Sequence, residues 1–155
     1  MLSVGRSSHR TATAIVTTGG WAELLESEED YAAKQGFGAG VLVVHYAGEL
    51  LRVVSEDDRA ITESAILAII DRHLGWTDRT APVAAGRLGI VVIPVDGALA
   101  LSRRARELHR DLRACGLDVD VAYSFRRRSG GLPAAAARAD AALDTALSRR
   151  AAPRA

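Results

Sequence analysis

The chain has 155 residues, 20 basic against 19 acidic side chains, and a single cysteine, Cys115. That length, with 48% hydrophobic and 25% charged residues, fits one globular domain with its own core; it excludes a disordered chain and a disulfide-built miniprotein. The formal net charge of +1, made of 19 arginines and the one lysine Lys34, removes any whole-surface electrostatic case for nucleic acid.

Residues 1–13 read as a polar, flexible lead without the apolar stretch of a secretory signal, residues 14–150 as the domain, and residues 151–155 as a frayed end. No apolar run reaches the length of a membrane span, so the expectation is a cytoplasmic chain with no membrane contact. From Gly20, Trp21, Leu24, Leu25 and Ala32 recur at helical spacing as far as Gln35. The glycines at 36, 38 and 40 read as a flexible connection, and Val41–Tyr46 as a buried strand. Glu49–Val54 reads as a short helix or as the return strand of a hairpin through Ala47 and Gly48, with the helix favoured. Ser55 ahead of Glu56, Asp57 and Asp58 is an N-cap with an acidic first turn, opening a helix expected to run through Ile61, Ile66, Ile69, Ile70 and Leu74 to Gly75.

Val83–Ala85, Gly86–Gly89 and Ile90–Ile93 read as strand, tight turn and strand, closed by Pro94. Leu101, Ala105, Leu108, Leu112 and Cys115 step by four and three, an amphipathic helix stopped by Gly116. That spacing places Cys115 on the apolar face as an inert thiol. Val119, Val121, Tyr123 and Phe125 alternate as a half-buried strand, Arg126–Gly131 is a basic turn, and Pro133 opens the last, alanine-rich helix to Arg150. The order of helices, hairpin and strands gives an α+β class, with a mostly antiparallel central sheet flanked by helices.

Three stretches carry a family resemblance. Arg138-Ala139-Asp140-Ala141-Ala142-Leu143 matches an RADxAL helix, Val83–Pro94 has the length of a hairpin ending in an apolar strand and proline, and Thr17-Thr18-Gly19-Gly20-Trp21 precedes a helix. Falling in this order and spacing over residues 17–150, they resemble the GGDEF domain of diguanylate cyclases, which implies a nucleotide-cyclase palm-like fold. The resemblance also locates what is missing. The five hairpin positions that give the family its name fall on Ala85-Gly86-Arg87-Leu88-Gly89, and the strand-end metal aspartate falls on His45, with Ala47 where a further Asp often lies. The phosphate-steadying lysine of the last helix falls on Leu147 and its neighbouring tyrosine on Asp144. The product-binding Arg-x-x-Asp falls on Trp76-Thr77-Asp78-Arg79. Hard metal ions need anionic oxygen ligands, which imidazole and guanidinium do not supply.

The resemblance therefore implies a degenerate, catalytically inactive domain with no catalytic residues, metal or cofactor. Its role would be regulatory, through a protein partner or a homodimer. The alternative is a non-catalytic sensor of GTP or a cyclic dinucleotide such as cyclic di-GMP, with Arg87 and the backbone amides of Gly86 and Gly89 as ligand-binding residues. A diverged enzyme ranks third, for want of a nucleophile, base or metal set. His45 reads as a hydrogen-bonded strand-end histidine, and the arginines at 103, 104, 106, 110 and 113 as a helix face salt-bridged by Glu107 and Asp111. Arg126, Arg127 and Arg128 have no such partners nearby in sequence. Trp21 and Trp76 read as core or interface anchors.

Overall fold

The computed structural model describes residues 20–152. The expected lead at 1–13, the Thr17–Gly19 part of the entry segment and the last three residues lie outside them. Helix α1 (Gly20–Gln35) leads to strand β1 (Gly40–His45), helix α2 (Ala47–Leu51) and helix α3 (Glu56–Asp71). Strands β2 (Arg79–Ala84) and β3 (Arg87–Val92) form the hairpin, followed by helix α4 (Gly97–Ala114), strand β4 (Asp120–Phe125) and helix α5 (Gly131–Ala151).

The four strands form one sheet in the order β2-β3-β1-β4, with every neighbouring pair antiparallel. From β1 onward the chain reads β-α-β-β-α-β, with β3 inserted between the parallel β1 and β2. Alternation along β1 and β3 supplies two cores. Leu42, Val44, Leu88, Ile90 and Val92 face α3 and α4, meeting Ile66, Ile70, Leu101, Leu108 and Leu112. Val41, Val43 and Val91 face α1 and α5, meeting Leu25, Ala32, Leu132, Ala139 and Leu143. The sheet is thus covered on both faces, which is why Val41–Val44 is a continuous apolar run.

Several boundaries follow the sequence. Ser55 Oγ accepts from the Asp58 N–H and caps α3, and the apolar stripe of α4 is buried from Leu101 to Leu112. Helix α3 ends at Asp71, earlier than expected, because the His73 and Leu74 N–H groups bond three residues back and tighten the last turn. The hairpin is tighter than expected. Its turn is Ala85-Gly86, and Arg87, Leu88 and Gly89 belong to β3. The first strand begins at Arg79 and tolerates Pro82 because β2 is an edge.

The glycine-rich connection after α1 is pinned by two backbone bonds, Val95 N–H to Gly38 O and Arg126 N–H to Ala39 O, instead of hanging free. Cys115 is exposed, a correction to the buried thiol expected from spacing: it is the C-cap of α4, its N–H still bonded to Asp111 O, and it lies past Leu112, the last buried residue of the stripe. Trp76, in the loop before β2, is 60% exposed and is no core residue. Among the described residues no helix is long and apolar enough to cross a membrane.

Candidate functional site

The register of the sheet brings three chain-distant side chains into one row. His45, the last residue of β1, pairs with Arg87 on one side and with Asp120 of β4 on the other. His45 lies two residues after Val43 on β1 and Arg87 two residues before Gly89 on β3, so they share the face that α5 covers. There Asp140 and Asp144, one helical turn apart, close on the guanidinium: Arg87 Nη1 donates to Asp140 Oδ1 at 2.5 Å and Nη2 to Asp144 Oδ1 at 3.0 Å. Arg87 Nε donates to His45 Nδ1 at 3.3 Å. The arginine side chain is 12% exposed.

This donor arrangement fixes the imidazole. Nδ1 accepts, so the ring proton resides on Nε2, and burial together with the adjacent Arg87 charge holds the His45 pKa below its ordinary value against the pull of Asp120 and Asp144. His45 is therefore neutral at pH 7. On the far side of the row Arg150 pairs with Asp120 and with Asp118, which also meets Arg113 and Arg52. Charge alternates along the whole end of the sheet.

The two other proposed ligand positions, Gly86 and Gly89, are closely packed by protein. Gly86 has φ +73°, and a Cβ there would lie 2.6 Å from the Ala47 Cα; its carbonyl accepts the Tyr46 N–H at 2.8 Å. Gly89 sits within β3 between Val43 and Ala81, and a Cβ there would lie 2.5 Å from the Trp21 ring. Trp21 thus lies against the strand, so that Gly89 is a packing glycine and not a turn glycine. Its resemblance to a turn came from Gly86 and Gly89 standing close in sequence.

The RADxAL segment acts as a tie. Arg138 donates to Ser124 Oγ and Phe125 O of β4, while Asp140 holds Arg87. Asp78, at the expected product-binding positions, is buried and bonds Arg104 Nη2 and the Gly75 N–H. Arg126, expected to lack a partner, is held bidentately by Glu29 of α1. The arginines of α4 pair chiefly across elements: Arg104 with Asp78 and Arg113 with Asp118. Among the described residues no group of three or more His, Cys, Asp or Glu is placed to hold a metal ion.

The GGDEF domain of DgcB from Caulobacter crescentus, solved in complex with c-di-GMP, superposes with a TM-score of 0.69 over 86% of this chain and 85% of that one, at 14% identity. The chain has the GGDEF-domain fold. The active GGEEF domain of a diguanylate cyclase from Vibrio cholerae agrees, with a TM-score of 0.69 over 83% of this chain and 88% of that one, at 11% identity. Diguanylate cyclase SiaD from Pseudomonas aeruginosa, solved with its activator SiaC, gives 0.71 over 96% of this chain and 63% of that one, at 14% identity. No protein-family model matches the sequence, and no curated protein is detectably similar to it. The residues at the GGDEF metal positions do not fit a divalent cation, because the guanidinium of Arg87 stands opposite His45 where oxygen anions would be needed.

Proposed function

We propose that this chain is a catalytically silent GGDEF-fold domain that acts in the cytoplasm through its surface, on a regulatory protein partner or on a second copy of itself. The observation that carries this reading is the Arg87 cluster. A cation sits at the position opposite His45, and its charge is already met by Asp140 and Asp144. A guanidinium so held repels Mg²⁺ and has few donors left for a phosphate. Gly86 against Ala47 and Gly89 under Trp21 leave little room for a ligand at the hairpin, which favours a surface role over nucleotide sensing.

The test is incubation of the purified chain with GTP and Mg²⁺, with chromatographic detection of cyclic di-GMP. No product is expected, and measurable synthesis overturns the reading. Thermal unfolding with GTP or cyclic di-GMP at about 1 mM, a concentration that raises Tm detectably for a binder of micromolar Kd, separates the sensor alternative. Unchanged Tm supports the surface role; a rise of several degrees replaces it with ligand sensing.

A further inference from the structure

The two edges of the sheet are unlike. At one, β2 is closed to further pairing: Pro82 offers no N–H, the ladder slips between Pro82 and Ala84, and Glu28 of α1 reaches Arg79. At the other, β4 has neither proline nor bulge and pairs with β1 in unbroken register. The Arg126 N–H donates to Ala39 O at 2.8 Å, so alternate residues back along the strand, Ser124, Ala122 and Asp120, turn their main-chain groups to β1. Val121, Tyr123 and Phe125 turn theirs away from the sheet. Arg138 takes the Phe125 carbonyl. The N–H and C=O groups of Val121 and Tyr123 meet no partner among the described residues, and Tyr123 is 42% exposed.

The helices on either side of this edge carry cations toward it. On α4, His109 bonds the Val119 carbonyl and Arg113 bonds Asp118, which sets the face holding Ser102, Arg106, His109 and Arg113 beside β4. On α5, Arg138 bonds Ser124 and Arg150 bonds Asp120, and Arg149 continues the Arg138 stripe at about 3.6 residues per turn. Arg127 and Arg128 follow directly on the strand. Arg106 reaches only Ser102 Oγ, and Arg127, Arg128 and Arg149 meet no carboxylate among the described residues. The carboxylates nearby are already taken. Asp111 meets His73, Asp140 and Asp144 meet Arg87 on the far side of α5, and Asp118 and Asp120 are held by Arg52, Arg113 and Arg150.

We propose that the β4 edge is the docking site for an extended acidic segment of a protein partner, which adds to the sheet through the main chain of Val121 and Tyr123 and sets its carboxylates among Arg106, Arg127, Arg128 and Arg149. The inference rests on the reading that this fold acts through its surface, and gives that surface a place and a chemistry. Main-chain pairing supplies affinity that any extended segment shares, and the arginines select an acidic one. A basic segment meets repulsion at the same edge. Val121 and Phe125 pack toward the α4 core, so the exposed ring of Tyr123, on the same side of the strand, offers an apolar contact to alternate side chains of the incoming segment.

Two end-capped octapeptides, one alternating valine with glutamate and one valine with lysine, titrated to about 1 mM against the full chain and read by amide hydrogen exchange, test it. In the free protein the Val121 and Tyr123 amides exchange freely while Ala122 and Ser124 are protected. The glutamate peptide slows the first two at least about tenfold, and ~500 mM salt weakens its binding by about as much. The lysine peptide leaves them open. Tyr123→Pro removes an N–H that points away from β1, costs the ladder no bond, and abolishes binding of the glutamate peptide. Arg106→Glu with Arg149→Glu, at exposed helix positions, weakens the glutamate peptide and admits the lysine one, which keeps the test decisive if the proline variant fails to fold. Equal binding of the two peptides, or glutamate binding indifferent to both variants, overturns the proposal. So does protection of Val121 and Tyr123 in the free protein: independent of concentration it marks the chain's own residues on the edge, and growing with concentration it marks a second copy. An edge that neither peptide protects, in a protein that makes no cyclic di-GMP, removes the docking site alone, whereas cyclic di-GMP synthesis removes the reading beneath it.

Discussion

Replacing Glu29 removes a junction that joins three elements. Its Oε1 accepts from Arg126 Nε and from the Leu132 N–H, both at 2.7 Å, and its Oε2 accepts from Arg126 Nη2 at 2.5 Å. The carboxylate thus ties α1 to the loop after β4 and satisfies one of the free N–H groups at the start of α5, where the helix dipole favours negative charge. The paired side chains are 18% and 23% exposed, so the pair lies between a surface bridge and a buried one. Loss of the charge-assisted bonds costs about 1.5–3 kcal/mol, taken at its lower end for this exposure, and loss of the helix-start acceptor adds about 1 kcal/mol. Glu29→Ala is therefore expected to cost about 2–3 kcal/mol and to lower Tm by roughly 5–10 °C in a chain of this size. Glu29→Gln keeps an acceptor for Leu132 and loses about half as much. The bonds from Arg126, helped by the Leu132 N–H against the cost of burial, hold the Glu29 pKa below 4.5. Its contribution is present above about 4.5 and is lost as pH falls through the lower folded value, so Glu29→Gln also flattens the acid limb of the stability profile. Thermal unfolding of the three proteins from pH 7 to pH 3 reads both effects. A Glu29→Ala Tm within about 1 °C of the parent, where some 5 °C or more is expected, would refute the junction.

Gly86→Ala places a Cβ 2.6 Å from the Ala47 Cα in a backbone with φ +73°. The left-handed conformation alone costs about 1–2 kcal/mol, and the contact is with backbone, so a total above about 2 kcal/mol is expected in chemical denaturation. An unchanged midpoint would show that the turn is not seated on α2. For His45, whose pKa is held below 6.5, the unfolded chain binds the proton more readily than the folded one. Stability is full above about 6.5 and falls as pH drops toward the lower folded value, because in that window the unfolded chain takes up the proton that folded His45 does not. His45→Gln should flatten the unfolding profile between pH 7 and 5, and an identical slope in the variant contradicts the lowered His45 pKa.

Local patterns were legible in the sequence wherever one element determines its own shape. The stripe of α4 and the Ser55 cap appear where expected, and the short helix after β1, expected over Glu49–Val54, forms at Ala47–Leu51. The hairpin was legible in place but not in register, because β2 contains Pro82 and Gly89 imitates a turn while serving as a seat for Trp21. The site was half legible. Counting from Pro94 set Arg87 against the metal position, and the sheet pairs it with His45. Its clasp by Asp140 and Asp144, more than 50 residues away, was not readable, and neither was the Glu29–Arg126 pair, 97 residues apart. A sequence announces charges but not the tertiary distances that pair them, so Arg126 looked free when it was the most firmly held of its run.

The central place of β1 also shapes how the chain must be made. Its six residues leave the ribosome before both of their hydrogen-bonding partners, Arg87–Val92 on one side and Asp120–Phe125 on the other. Until the hairpin has been synthesised, Val41–Val44, buried on both faces in the finished molecule, have no strand to pair with. Such non-local pairing slows folding and leaves an apolar strand open to the wrong partner during synthesis. The interval between β1 and the hairpin is thus a span of synthesis in which an apolar strand stands without its partners.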